Sequence, residues 1–483
     1  MGASLVVASN RGPVQFTGDS DETAVPRRGG GGLVTAIGPA LADGGGVWIA
    51  ASMSDADRRV AASRPMLTVV LPEGRIRLRL LSPAQEVYDA FYNEIGNRVL
   101  WPLNHCLFDL ARGPAFDGAF RAAWKHFRTV NEGYAAACAD AAATNAEVFV
   151  HDYHLALAPS ALRRSRPDLK IAHYTHCPWP DPHYFAVLPT GRELIEGMLG
   201  ADLLGFEVPR WAANFLRCCA ALGHQVDSAA VLAPDGRRVQ VRSYPLGVDA
   251  TQLRRAAAAP AVAAGRRRLS SMSGDAVVVV RVDRLEPSKN ILRGLRAFQE
   301  LLTRRPELRG RIVHWVLAYE SRQQVPEYQR YAGDLHSAVA EINARFGDSR
   351  WTPVRLATDD DYPRSLAALS LADMIVVNPL WDGQNMVAKE GPVINEKDAP
   401  LLLSRNAGAA DDLAAGALMV NPFDTAELAD AMAAALDMTA EERAERAALV
   451  REAAVRAPPR EWFGQQRRDL AEAAGLQAST VHR

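Results

Sequence analysis

Four consecutive valines at positions 277–280 run into a short polar stretch and then into a helical pattern from Ile291, and this strand–loop–helix rhythm recurs along the whole chain. Short β-branched apolar runs suit buried strands, and longer stretches rich in alanine and leucine suit helices. Their alternation predicts an α/β fold with parallel sheets. The clearest strands are residues 5–8, 147–150, 171–174, 277–280, 312–316 and 374–377, and helical spacing covers 33–41, 124–143, 291–302 and 426–436. At 483 residues the chain exceeds one compact core, so two large domains are expected. The stretch "SYPLGVDA", residues 243–250, leads into an alanine-rich segment after which a fresh series begins, which puts the boundary near residue 245. Near the end, "REWFGQQRRDLAEAAG" reads as a helix whose Trp462 and Phe463 need a surface to cover. The first half is the expected surface, and the residues after 475 are expected to fray.

Charge narrows the function. Fifty-five basic against 56 acidic residues leave a formal charge of -1, which removes the long-range field of a non-specific nucleic-acid binder. Any anion is then bound locally. The 5 cysteines, Cys106, Cys138, Cys177, Cys218 and Cys219, are odd in number and show no CxxC spacing, so neither a disulfide framework nor a zinc site is expected. "MGASLVVASNRGPV" does not read as a signal peptide, and no apolar run approaches the roughly twenty residues of a membrane helix. The expectation is a cytoplasmic protein with no membrane partner; the oligomeric state, homo-oligomer or monomer, stays open.

Four stretches carry candidate chemistry. In "SNRGPV", Arg11 follows the first strand, and the glycines Gly29, Gly30, Gly31 and Gly32 lead directly into a helix, either as a cradle for an anionic ligand or as a flexible loop. In "RVDRLEPSKN", Arg284 and Lys289 lie five residues apart at a turn, where Ser288 is placed to cap the next helix. The two cations suit a departing phosphate, with an ordinary solvated turn as the competing account. In "NPLWDGQNMVAKEGP", Asp382 and Glu390 flank Gly383 after a strand, where carboxylates accept hydrogen bonds from sugar or ribose hydroxyls or serve as a cap and a surface acid. Finally, "HDYHLALAP" and "HYTHCPWPDPHYF" bring His151, His154, His173 and His176, whose spacing lacks the HExxH pattern and favours packed or ligand-facing histidines over a metal site.

Taken in order, "SNRGPV", "GGGGL", "FYNEIGNRVLWPLNH", "HDYHL", "HCPWP", "RVDRLEPSKN", "DGQNMVAKE" and "LSRNAGAADDL" resemble the trehalose-6-phosphate synthases, retaining glycosyltransferases of the GT-B fold, from about residue 5 to 470. The resemblance implies two Rossmann-like domains with parallel sheets facing across a cleft: 1–245 binding the acceptor, 246–455 binding the nucleotide sugar, and 456–483 forming a helix that returns to the N-terminal domain. It implies transfer of glucose from a nucleotide-glucose donor to glucose 6-phosphate, giving α,α-trehalose 6-phosphate. The mechanism is metal-independent front-face attack, and no cofactor is needed because the nucleotide sugar is a co-substrate.

By the same matching, Arg284 and Lys289 bind the donor's phosphates, Glu390 the ribose and Asp382 the transferred sugar, with Gly383, Asn385, Met386, Val387 and the glycines at 29–32 completing the donor site. His176 lies near the donor sugar and Asp152 near the acceptor, whose phosphate falls to Arg11 and Arg322 in a pocket lined by Tyr92 and Trp101. Departures from the family pattern sit close to the donor: Trp381 and Gln384, "EGPV" after the lysine, and "EPSKN". They resemble a branch holding guanosine-nucleotide users and pseudo-glycosyltransferases that join cyclitol units, so the donor base, GDP-glucose or UDP-glucose, is left open. The alternatives are coupling of a nucleotide-activated cyclitol to a phosphorylated aminocyclitol, and a non-catalytic regulator that binds sugar phosphates.

Overall fold

The structure, a computed structural model, describes residues 2–18, 25–28, 32–72 and 74–481. It divides into two compact units, one made of Met1–Pro245 with Pro459–Arg483 and the other of Leu246–Pro458.

The strands of the first unit are β1 (Ala3–Ala8), β2 (Val14–Thr17), β3 (Val25–Arg28), β4 (Val47–Ala51), β5 (Leu67–Leu71), β6 (Gly74–Leu81), β7 (Ala142–His151), β8 (Lys170–Thr175), β9 (Leu203–Phe206), β10 (Ala230–Leu232) and β11 (Arg238–Ser243). Nine of them form one sheet in the order β10-β11-β9-β8-β7-β1-β4-β6-β5, while β2 and β3 pair separately. Its centre is parallel, as the alternating pattern predicts, but both edges are antiparallel, β10 on β11 and β5 on β6. The reason is length: the links there are far shorter than the dozen or so residues that a parallel crossover needs. β7 begins earlier than its apolar run, at Ala142, so the preceding helix Gly118–Ala141 stops two residues short of the expected end. Against β1 the register jumps from Ala3↔Ala142 to Leu5↔Glu147, and Asn145, with φ 58°, sits in the extra length.

The second unit contains β12 (Val277–Leu285), β13 (Ile312–Glu320), β14 (Val354–Ala357), β15 (Met374–Val377), β16 (Leu401–Ser404) and β17 (Leu418–Val420), all parallel, in the order β14-β13-β12-β15-β16-β17. The valine run explains itself here. Val278, Val280 and Val282 enter the core on one face of the sheet and Val279 the core on the other, so the first part of that strand is apolar on both faces. The helix Ile291–Arg304 that follows buries Ile291, Leu295, Phe298 and Leu302, the spacing of one helical stripe.

The last helix, Pro459–Val481, belongs to the first unit and runs through the residues expected to fray. Trp462 donates from Nε1 to the carbonyl of Tyr244 at 2.9 Å and sets its ring edge-on to Tyr174, while Phe463 packs on Phe149 with ring centroids 4.8 Å apart. The Tyr244 hydroxyl returns a 2.7 Å bond to Asp469. No helix among the described residues is long and apolar enough to cross a membrane.

Because Trp462 is buried against the first unit's sheet, Trp462→Ala is expected to cost about 3–5 kcal/mol of that unit's stability, as truncation of a buried tryptophan does. Urea unfolding followed by circular dichroism checks it, and a loss under about 1 kcal/mol would mean that the helix is a dispensable appendage.

Candidate active site

Read in chain order within its own unit, the second sheet runs 3-2-1-4-5-6, so the direction of winding reverses between β12 and β15. Such a reversal opens a crevice at the carboxyl ends of the two strands, the usual ligand position in an open α/β sheet. Arg284 lies at the end of β12, Lys289 on the turn beyond it, and residues 378–390 follow β15. The backbone joins the two loops: Leu380 N–H donates to the Ser288 carbonyl at 2.8 Å, and Asn290 Nδ2 donates to the carbonyls of Asn378 and Pro422. Ser288 is therefore not the helix cap expected of it. Asn290 holds that position in the left-handed region at φ 57°, and the Ser288 hydroxyl turns to Glu286.

The turn is not solvated either. Lys289 is 9% exposed, and its ammonium lies 2.5 Å from Asp382 Oδ2. Burial works against that charge, but the carboxylates of Asp382 and Asp283 outweigh it and hold the lysine above its ordinary pKa. Asp382 is shared: Oδ2 also accepts from Asn385 Nδ2 at 2.9 Å, and Oδ1 from the Gly383 N–H at 3.0 Å. Asn385, at φ 67°, turns the chain into the helix Val387–Ile394, with Met386 and Val387 at its start. Glu286, fully buried, binds Arg284 at 3.0 Å through one oxygen and Arg322 at 2.8 Å through the other, while Arg322 also donates to the Tyr328 hydroxyl. Beneath them Arg281 spans Asp283 and the Lys289 carbonyl, fixing the turn from inside.

Glu390 differs from its neighbours. Its half-buried carboxyl has no hydrogen-bond or ion-pair partner among the described residues, and burial alone pushes its pKa up to about 7. Gln384, 3% exposed, donates to Asp412 at 3.1 Å and leaves Oε1 without a donor.

In the first unit the winding also reverses, between β1 and β7. Arg11 follows β1 and reaches the Tyr92 hydroxyl at 3.4 Å. Tyr92 lies on a wide π-type helical segment, Ala90–Leu100, and stacks on His154 with centroids 5.5 Å apart. The aromatic file continues from His154 to Tyr153 and on to Trp101, which is largely buried against His105. Asp152 follows β7 with φ 74° and ψ 163°, a region costly for any residue but glycine. Its N–H donates to the Tyr174 carbonyl at 2.7 Å, and its Oδ1 accepts from the His176 N–H at 3.2 Å. His176 Nε2 and His151 Nδ1 are 3.1 Å apart. Burial lowers the pKa of His176 to about 3 and of His173 to about 4, so this cluster is neutral at physiological pH. Among the described residues no group of three or more His, Cys, Asp or Glu is arranged to hold a metal ion.

The structure thus gathers Arg284, Lys289, Arg322, Asp382, Gly383, Asn385, Met386, Val387 and Glu390 in the second unit, and Arg11, Tyr92, Trp101, Asp152 and His176 in the first. Gly32 starts the helix Gly32–Gly44, while Gly29, Gly30 and Gly31 lie outside the described residues. Sequence reasoning missed Glu286 and Arg281. It also missed Asn131, whose buried amide accepts from the N–H groups of Leu157 and Ala158 and donates to the His154 carbonyl.

The sequence matches Glycosyltransferase family 20 over residues 3–472. It is 34% identical over 466 residues to the bifunctional trehalose-6-phosphate synthase/phosphatase of Thermoproteus tenax, covering 93% of this chain and 61% of that protein. The chain therefore spans about three fifths of that relative. It is 32% identical over 501 residues to the validamine 7-phosphate valienyltransferase of Streptomyces hygroscopicus subsp. jinggangensis, covering 100% of this chain and 97% of that one. Among solved structures, trehalose-6-phosphate from E. coli bound with UDP-2-fluoro glucose superposes with a TM-score of 0.85 at 29% identity, covering 96% of this chain and 98% of that chain. The α/β fold with parallel sheets and this likeness agree with the GT-B class.

The isolation of Glu390 has a thermodynamic consequence. A carboxyl whose folded pKa lies near 7 and whose unfolded pKa lies near 4.5 leaves the native state holding the extra proton between those values, so stability falls as pH rises through that window. Glu390→Gln is expected to raise stability by roughly 2 kcal/mol at pH 8 and to change little at pH 4.5, in denaturant titrations at both values. Equal stability of the two proteins at pH 8 would show that the carboxyl is already compensated.

Proposed function

The chain belongs to glycosyltransferase family 20, and from that premise we propose that it transfers glucose from a nucleotide sugar to glucose 6-phosphate with retention, forming α,α-trehalose 6-phosphate. The observation that carries this reading is the cation cluster at the end of β12 and the turn beyond it, Arg284 and Lys289 held ready by Glu286 and Asp382 at a sheet reversal.

As the bond between the anomeric carbon and the diphosphate breaks, negative charge grows on the departing oxygen. Arg284 and Lys289 stabilise it without having to move far, which is where preorganised donors act most strongly. Glu390, as carboxylate, accepts from the ribose hydroxyls with both oxygens available. Asp382, with Gly383, Asn385, Met386 and Val387 around it, receives the sugar. His176, neutral, serves a sugar hydroxyl as a hydrogen-bond partner and not as an acid. Arg11 and Arg322 hold the acceptor's phosphate, Tyr92 and Trp101 line its pocket, and Asp152 orients its hydroxyl. Attack comes from the face the leaving group departs. One C–O bond breaks and one forms, and the acceptor proton passes to the departing phosphate oxygen, leaving a nucleoside diphosphate. In this scheme the two side-chain cations supply the charge stabilisation, and no divalent ion is required.

A second reading, coupling of a nucleotide-activated cyclitol to a phosphorylated cyclitol, is supported by the end-to-end match to the valienyltransferase and by Gln384, whose unpaired Oε1 lies on the loop that carries Asp382. Product analysis by mass separates the two. Glucose 6-phosphate offered with UDP-, GDP- and ADP-glucose is expected to give a disaccharide phosphate with at least one donor. Folded protein that yields none with any donor but couples the cyclitol pair would replace the first reading with the second.

Arg284→Ala and Lys289→Ala are each expected to lower kcat by on the order of a hundredfold, the usual loss for one preorganised charge donor. Near-normal turnover in either variant would remove that residue from the diphosphate site.

A further inference from the structure

The amino ends of the second sheet hold a cleft that the proposed reaction leaves unused. It measures about 330 Å³, within the range of small-molecule sites, and its lining includes Arg311, Arg350, Arg355, Trp351, Asp275 and Ser273. Arg311 directly precedes β13, and Trp351 and Arg355 bracket the start of β14. β12 spans nine residues, so its two ends are about 26 Å apart, and this cleft is distinct from the crevice at the carboxyl ends.

Three guanidiniums facing one acid leave the lining two charges positive. Some arginines of the unit find carboxylates, as Arg266 does on Glu396, Arg305 on Asp437 and Arg364 on Asp359. Arg311, Arg350 and Arg355 have no side-chain hydrogen-bond acceptor among the described residues. The Nε–H of Arg355 is buried with its bond unmade while the guanidinium lies over Trp315. Three guanidiniums without carboxylate partners around one cleft suit an anion with several oxygens. The turn that presents Arg350 and Trp351 is held from below, since Asp348 Oδ1 accepts from both of their N–H groups, at 2.7 and 2.9 Å. Trp351 is fixed in turn by its indole N–H on the Ile312 carbonyl at 2.8 Å. A ring so anchored offers an apolar face on which the C–H side of a pyranose packs.

We infer that this cleft is a second ligand site, which takes a phosphorylated sugar with its phosphate on Arg311, Arg350 and Arg355 and its ring against Trp351. The inference is independent of which donor or acceptor the enzyme uses. Hydrogen–deuterium exchange on the full chain tests it, with glucose 6-phosphate, glucose and inorganic phosphate as probes. Glucose 6-phosphate is expected to protect residues 348–355, and Arg311→Ser with Arg350→Ser is expected to raise the concentration needed by about tenfold or more, the equivalent of losing at least one charge-assisted bond. Glycosyl transfer by the double variant is expected to be unchanged. The single variant Arg350→Ser, on an exposed turn, gives the same test with a smaller shift should the double variant fold poorly. No protection of 348–355 in the unmodified protein, or protection that survives both substitutions, would overturn the site. Equal protection by inorganic phosphate would overturn its assignment to a sugar phosphate.

Discussion

A buried ammonium needs a carboxylate beside it, and the pairing of Lys289 with Asp382 is the contact on which the second unit's loops depend. Breaking such a pair typically costs about 3–5 kcal/mol, because the charge left behind is neither solvated nor compensated. The same logic runs through the cluster. Arg281 answers Asp283, and Glu286 answers both Arg284 and Arg322. Four cations against three acids leave one positive charge over. The acids thus keep the cations from repelling one another apart.

The sheet was legible because its signal is local. A strand such as 374–377 is apolar at every position since both faces are covered, and four residues suffice to show it. Arg284 and Lys289 were legible as an anion site from chemistry and position. Glu286 was not, for an acid in a polar turn is ordinarily solvated, and only the folded β13 side brings Arg322 to its second oxygen. Ser288 failed as a cap because the turn needed a left-handed residue two positions later, and asparagine is among the residues that adopt that conformation most readily. The isolation of Glu390 is likewise invisible in sequence: the same letter stands for a paired and an unpaired carboxyl.

Some of the backbone strain falls in the same places as charge. Asp152, Asn290, Arg322 and Asn385 all carry positive φ, and each lies in a loop after a strand of a winding reversal or its neighbour. None is glycine, so each conformation is held by what surrounds it: Asp152 by the Tyr174 carbonyl and the His176 N–H, Asn290 by two carbonyls, Asn385 by Asp382. Asparagine and aspartate are the residues whose short polar side chains make that bargain cheapest. The neutral histidines fit this picture, since a buried imidazole without charge can be oriented by one neighbour without demanding a counter-ion.

The first unit is built from both ends of the chain, with the whole second unit intervening between Pro245 and Pro459. On the ribosome, then, of these two units the one whose residues emerge first is completed second. The second unit has its entire sheet in hand before residues 459–481 are made, whereas the slot for Trp462 beside Tyr174 and Tyr244 stays open throughout that interval. Until residues 459–481 are made, the nascent chain carries an uncovered aromatic seam, and their docking is what closes it.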